Sequence, residues 1–331
     1  MAAPTRAPRA YLHALTSDSL ARPSELEARL ERGAILFFPP GLLALPPASE
    51  LEFLRTELEG RVTLKNLSYH PAGDYLSGIG GDAGVRARTR AILRAHGDCV
   101  HALLARLLPR YARTWRAGKV NYRPFEEAGR DLTAHSSNEL VHVDAFASGA
   151  THGGRILRFF TNVHPSAPRR WKSAGLFPEL LAEFGDAAGV GALGARRLAE
   201  GPLDRAFSGL VRLAVRAGLP QAATLDTSPY DRAMKRLHDA LKDSPTFQAD
   251  EGRLQIFEFP AGSSWIVLTD MVSHAVIRGQ HALVCTWIVP LQRCQVPELA
   301  PYTLLARGVA QARPASSPVR AAVRCAARRS G

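Results

Sequence analysis

The feature that most restricts the fold of this chain is a change of hydrophobic period at residue 139. From there on, apolar residues fall in short runs at 140–146, 155–163, 254–259, 265–269 and 282–290. Runs of this length, rich in Val, Ile, Phe and Trp and bounded by turn residues, read as strands. A helical stretch at about 178–243, with a Gly/Ala-rich segment near 185–195, separates the early strands from the late ones. Strands that resume after a long helical excursion predict a mainly β fold with flanking helices. Its core is expected to be a jelly roll, a double sheet closed on itself, carrying a helical insertion.

Upstream of residue 139 the pattern is mostly helical. Ser24 with Glu27, and Ser49 with Glu52, have capping-box spacing before apolar-periodic runs, so two short helices are expected to begin there. Between them Ala34-Ile35-Leu36-Phe37-Phe38 reads as a buried strand stopped by Pro39 and Pro40. Apolar recurrence through Ile92, Val100, Leu103, Leu104 and Leu107 predicts a longer amphipathic helix over 85–108.

Composition excludes several classes. With 331 residues and 46% hydrophobic content the chain can bury a real core. Cys99, Cys285, Cys294 and Cys325 show no Cys-x-x-Cys spacing, so neither a disulfide framework nor a thiolate zinc site is expected, and a reducing cytoplasm is the default. Residues 1–20 contain no continuous apolar run of the secretory type. No segment approaches the ~18–20 apolar residues that span a bilayer. The net charge of +12 favours polyanionic surroundings: nucleic acid, anionic lipid or a phosphorylated glycolipid. It is equally consistent with a solvated arginine-rich face. Residues 306–331, arginines among Ala, Ser and Pro, are expected to form a disordered basic tail.

His142-Val143-Asp144 carries the strongest chemical signal, together with His274 far downstream in Val-Ser-His-Ala. On a strand, residues i and i+2 point to one face, so both ligands of a His-x-Asp look inward while Val143 looks out. Two imidazoles and a carboxylate on one face leave coordination positions open, which suits non-haem Fe(II). The pair alone is also what a hydrogen-bonded His and Asp at a strand end would look like. His281, His152 and His164 remain open as third ligands. Strand parity disfavours His281 unless a turn near Gly279 intervenes, and the other two read as loop residues.

Several further blocks accompany the motif. They are Lys65-Asn66-Leu67-Ser68-Tyr69, Asn121-Tyr122-Arg123-Pro124, His142-Val143-Asp144-Ala145-Phe146 and Arg155-Ile156-Leu157-Arg158-Phe159-Phe160-Thr161-Asn162. Tyr230-Asp231, Leu237-His238-Asp239, Phe259-Pro260-Ala261-Gly262-Ser263-Ser264-Trp265, Thr269-Asp270-Met271-Val272-Ser273-His274-Ala275 and Gly279-Gln280 complete the series. In these blocks, in this order over roughly residues 30–292, the chain resembles the Kdo hydroxylases. The resemblance implies an Fe(II)/2-oxoglutarate-dependent dioxygenase with a double-stranded β-helix core, a single domain over 1–305. Its implied reaction is hydroxylation of C3 of 3-deoxy-D-manno-oct-2-ulosonic acid (Kdo) in the lipopolysaccharide inner core, giving Ko, succinate and CO2. O2 and 2-oxoglutarate would be co-substrates, and a Kdo-lipid A glycolipid at the cytoplasmic face of the inner membrane the acceptor. The Gly/Ala-rich insertion and the arginine tail depart from the family pattern, and leave the acceptor more open than the chemistry.

Within that reading His142, Asp144 and His274 are the expected iron ligands. Arg158, flanked by apolar residues on its strand, is the expected anchor for the far carboxylate of 2-oxoglutarate, because a buried arginine needs an anion and its planar fork matches a carboxylate. A strand-edge arginine reaching solvent is its plain alternative. Arg155 is a weaker rival. Arg123 is a second expected contact for cofactor or sugar, and Asn162 shares parity with Arg158 but is equally suited to capping the turn before Pro165. Trp265 and Phe160 read as core, and the stretch from Tyr230 to His238 as a candidate lid over the sugar. Three rival functions stay open: an oxygenase of another acidic sugar or small molecule, a metal-binding barrel without oxygenase activity, and a nucleic-acid binder. The last lacks any helix-turn-helix, zinc-finger or RNA-recognition signature, so no nucleic-acid partner is expected.

Overall fold

A computed structural model of the chain describes residues 9–21, 23–145 and 149–308. The strands are β1 (Tyr11–Ala14), β2 (Ala34–Phe38), β3 (Leu67–His70), β4 (Tyr75–Ser77), β5 (Arg116–Arg123), β6 (Arg155–Asn162), β7 (Arg169–Ser173), β8 (Gln255–Phe259), β9 (Ser264–Leu268), β10 (Ala275–Arg278) and β11 (Ala282–Val289). Eight form one sheet in the order β1-β2-β9-β6-β11-β5-β3-β4, and β10-β7-β8 form a second. Among the described residues only β1 and β2 pair in parallel, and the other neighbouring strands are antiparallel.

Aromatic residues join the two sheets. Trp171 of β7 stands edge-on to Phe160 of β6, with centroids 4.8 Å apart, and Phe259 of β8 stacks on Trp265 of β9 at 3.8 Å. Rings of this size bury large apolar areas and, offset or edge-on, add roughly 0.5–1.5 kcal/mol per pair. Charged residues are also sealed inside. Arg155 pairs with Asp270 (Nε–Oδ2 2.6 Å), and Arg169 pairs with Glu127 (3.3 Å) while donating to the Gly279 carbonyl. Gly279, at φ +154°, leaves Arg169 room: a Cβ there would lie 2.5 Å from Arg169 Cγ.

Helices α1 (Pro23–Glu31), α2 (Ala48–Thr56), α3 (Ala83–Leu107) and α4 (Pro109–Ala112) precede β5. Between β7 and β8 lie α5 (Phe177–Phe184), α6 (Gly194–Leu198), α7 (Pro202–Arg216), α8 (Pro229–Lys242) and α9 (Pro245–Ala249), and α10 (Pro301–Arg307) follows β11. The helical stretch expected at 178–243 is therefore present, as is the long helix at 85–108, which Asp82 caps by accepting from the Val85 amide. The two expected capping boxes are not at the helix starts. α1 begins at Pro23 and α2 follows Pro47, so Ser24 and Ser49 lie inside their helices. Pro23 takes the first helical position of α1, where proline's fixed φ suits the turn, and Pro47 stands at the N-cap of α2.

The strand expected at 140–146 is not formed. His142 makes one antiparallel bridge, to His274, and the chain through Ala145 is otherwise irregular; Phe146 lies outside the described residues. Most of the expected basic tail lies outside them too, beyond Gly308. Among the described residues no helix is long and apolar enough to cross a membrane.

Candidate metal centre

The segments that carry His142 and His274 hold each other in place. The His142 amide donates to the His274 carbonyl (3.2 Å), and the His274 amide to that of His142 (2.8 Å). Each ring is then fixed by a carbonyl two residues earlier in its own segment. Nδ1 of His142 lies 2.7 Å from the Leu140 carbonyl, and Nδ1 of His274 lies 3.0 Å from that of Val272. A carbonyl accepts only, so each Nδ1 carries the proton and each Nε2 presents a lone pair. Both Nε2 atoms face Asp144 Oδ1, at 3.7 Å from His142 and 4.0 Å from His274.

Candidate ligand atoms of His142, Asp144 and His274 lie within 4.8 Å of one another, and all three residues are buried. Burial first, then the neighbouring rings, pushes the His142 pKa well below its ordinary value, and burial lowers that of His274. Neutral imidazoles are the ligating form. Burial would raise the pKa of Asp144, but Arg158 and the two rings outweigh it and hold the carboxylate well below its usual range. Two neutral nitrogens and one anionic oxygen, converging on one point beside open space, fit a divalent iron-type cation. No bound ion is needed to see the fit.

That space is a cavity of about 210 Å³ between the two sheets. β5 contributes Lys119, Asn121 and Arg123, β6 contributes Arg158 and Phe160, and Trp171 stacks on His274 from the other sheet with centroids 5.2 Å apart. With Lys65, the lining holds four cationic side chains and one carboxylate, Asp144. Arg158 Nε lies 2.9 Å from Asp144 Oδ2, but the geometry is that of an ion pair without a hydrogen bond, and both atoms are buried. Arg123 Nη1 is 3.5 Å from Glu127, and burial lowers its pKa to about 10. Lys65 donates to Asn138 Oδ1 (2.9 Å), and Asn138 Nδ2 donates to Glu127 (2.9 Å). Burial, followed by repulsion from Arg123, lowers the Lys65 pKa to about 8.

The structure thus brings together His142, Asp144, His274, Arg158 and Arg123. Asn162 stands apart: its side-chain nitrogen donates to the carbonyls of Ala167 and Phe259 and its oxygen accepts from the His164 amide. It closes the turn before Pro165 and has no part in the cavity lining. The rival third ligands are elsewhere. His281 Nδ1 bonds the Tyr122 hydroxyl, His164 Nδ1 accepts two turn amides, and His152 lies between Glu200 and Asp226. Arg155 is tied to Asp270. The expected lid over Tyr230 to His238 is instead a buttress. α8 packs behind the ligand loop, where His238 Nδ1 donates to the Val143 carbonyl (2.8 Å) and its ring stands edge-on to His142. Lys119, Asn138 and Trp171 join the lining without a motif that marks them; the signal for Lys119 lies in its alternation with Asn121 and Arg123 on one strand face.

Over residues 16–312 the sequence matches the family described as 3-deoxy-D-manno-oct-2-ulosonic acid (Kdo) hydroxylase. No curated protein shows a sequence match. Among solved structures, the chain is similar to the Kdo hydroxylase KdoO, described as a non-haem Fe(II) alphaketoglutarate-dependent dioxygenase. The KdoO complex with alphaketoglutarate and Fe(III) is 30% identical, with a TM-score of 0.72 over 89% of this chain and 95% of that one. The cobalt(II) complex is 30% identical with a TM-score of 0.73, covering 92% and 98%. The complex with succinate and Fe(III) is 29% identical with a TM-score of 0.72, again covering 92% and 98%. With the family matched over most of its length and a solved member sharing its architecture, this chain belongs to the Kdo hydroxylase family.

Proposed function

We infer that the protein is an Fe(II)/2-oxoglutarate-dependent dioxygenase that hydroxylates Kdo. The observation that carries this reading is the His142–Asp144–His274 cluster opening onto a cavity with four cationic side chains. In finer detail, the reaction is hydroxylation at C3 of Kdo in a Kdo-lipid A type glycolipid, at the cytoplasmic face of an anionic membrane, giving Ko. The two sheets correspond to the halves of a double-stranded β-helix, within one domain over about 1–305 that carries α5 to α9 as an insertion.

His142 Nε2, His274 Nε2 and Asp144 Oδ1 would hold the iron. Bound there, Fe(II) with O2 and 2-oxoglutarate supplies the oxidation: the keto acid becomes succinate and CO2, and one oxygen enters the sugar C–H bond. The chain's own work is placement. Nδ1–H bonds to Leu140 and Val272 keep both rings in the ligating tautomer, and Arg158 keeps Asp144 ionised. Arg158 also has guanidinium nitrogens beyond Nε with which to grip the far carboxylate of 2-oxoglutarate. Arg123, Lys65 and Lys119 suit the carboxylate of the sugar, because Kdo is itself an acid. Trp171 and Phe160 exclude water from the reacting face.

The test is mass spectrometry of the Kdo-lipid A fraction from cells with and without the expressed protein, paired with Fe(II)-dependent succinate release in vitro. A gain of one oxygen on the sugar is expected. Succinate release without that gain would retain the chemistry and reject the substrate.

A further inference from the structure

We propose that α7 is a membrane-docking helix that lays its outer face on an anionic lipid surface. This deepens the proposed function by naming the element that meets the bilayer, and it rests on that reading only for the purpose of the contact.

A helix in a folded domain normally turns its apolar stripe inward. In α7 the inward stripe is narrow, with Ser208 and Val211 buried. Its large apolar residues point out instead: Leu203 is 86% exposed, Phe207 47%, Leu210 66% and Leu213 63%. They recur at i, i+4, i+7 and i+10, a continuous ridge along more than two turns. Leu219 and Leu225, just beyond the helix, are also exposed. A contiguous ridge of this kind marks an interaction site, unlike scattered exposed leucines.

Charge selects the partner. Exposed Arg205, Arg212 and Arg216 form a second exposed stripe of α7, which adjoins the ridge at Leu213 and lies about 160° round the helix from Leu203 and Leu210. Exposed Arg196 and Arg197 precede it on α6. The single acid of α7, Asp204, is engaged by Arg232 of α8 at 3.0 Å. Arg232, Arg197, Lys235 and Arg236 line a neighbouring groove. An apolar ridge of leucines and a phenylalanine with an arginine stripe on the other exposed flank is the composition of an interfacial helix: apolar side chains enter the acyl boundary and long arginine side chains reach lipid phosphates. A protein partner would have to meet both an apolar ridge and a nearly uniform positive rim, whereas an anionic leaflet supplies both complements.

The experiment is co-sedimentation of the full chain with phosphatidylglycerol-containing vesicles and with pure phosphatidylcholine vesicles. The wild type is expected to bind the anionic vesicles, more weakly as salt rises, and the zwitterionic ones poorly. Leu203→Asp with Leu210→Asp should weaken anionic binding at least about tenfold, because each leucine contributes that much when buried. These solvent-facing substitutions should leave Fe(II)-dependent succinate release unchanged, so failure of docking and failure of the catalytic reading are separable. The proposal is overturned if the double variant binds like wild type, or if binding is lost only when residues 309–331 are removed. It is also overturned if light scattering shows a dimer that the same substitutions dissociate, which would make the ridge a contact between copies.

Discussion

Arg158 reaches from β6 to place its Nε 2.9 Å from Asp144 Oδ2, so one guanidinium touches the only carboxylate of the candidate metal centre. In the proposed function the same side chain has two tasks, fixing a metal ligand and anchoring 2-oxoglutarate. They separate by substitution. Arg158→Lys keeps a charge but loses the fork, and should raise KM for 2-oxoglutarate by about tenfold while cobalt(II) affinity changes little. Arg158→Gln leaves both anions unpaired and should raise that KM about 30-fold or more. Steady-state kinetics against each substrate check this. A rise confined to the KM for the sugar would reassign Arg158 to the Kdo carboxylate.

The sequence made the apolar strands legible and hid the polar one. β9 and β11 are buried on both faces and read as largely apolar runs, and β6 reads through its Ile156-Leu157 and Phe159-Phe160 pairs. β5, which lies between β11 and β3, has the sequence Arg-Ala-Gly-Lys-Val-Asn-Tyr-Arg, whose one strand signal is the short polar-apolar alternation from Lys119 to Arg123. Its inward face is polar because Lys119, Asn121 and Arg123 line the cavity, so the needs of the site overrode the hydrophobic pattern. The ligand segment failed in the opposite sense. Apolar alternation around His142 resembled a strand, yet one bridge to His274 and the ring contacts of α8 hold the loop. Identifying His238 as that contact required knowing where α8 packs, which no local pattern encodes.

His238 should matter for metal binding although it is no ligand. Its Nδ1–H fixes the carbonyl of Val143, the residue between two ligands, and its ring limits the rotation of His142. His238→Ala should lower cobalt(II) affinity by about 10- to 100-fold, the usual cost of losing such a support. His238→Phe keeps the edge-on ring without the hydrogen bond and should fall between. Metal titration with near-equal affinities for all three proteins would remove this role.

Lys65 makes the cavity sensitive to alkaline pH. Burial and Arg123 lower its pKa to about 8, so the cavity loses a positive charge as pH rises through that value. KM for the anionic sugar should climb above about pH 8 in the wild type, and this limb should be flattened in Lys65→Met. The folding linkage has its own sign. Between about 8 and the ordinary lysine value of 10.5 the unfolded chain binds the proton and the folded chain does not, so this group adds stability as pH rises across that window. Denaturation midpoints across the window should therefore rise relative to those of Lys65→Met.

His152 ties the chain just after the ligand loop to the helical insertion, and its ring donates to both of its carboxylate partners only when charged. Nδ1 faces Glu200 Oε1 and Nε2 lies 3.2 Å from Asp226 Oδ2, which also accepts from Ser208 of α7 through its other oxygen. The backbone of His152 is held at φ +52° with its amide directed at Asp231. A neutral imidazole can donate to one carboxylate only; the imidazolium donates to both. Burial works against the charged ring, but Glu200 and Asp226 together outweigh it and raise the pKa. A raised folded-state pKa means the stabilisation is fully present below the unfolded value of 6.5 and is lost as pH rises through the folded one. His152→Gln, which cannot donate in two directions with a charge, should abolish this component. Thermal midpoints at pH 5.5, 7 and 8.5 should then differ most between wild type and variant at the acid end and converge at the alkaline end. A difference that stays constant with pH would show that His152 holds the insertion by shape alone.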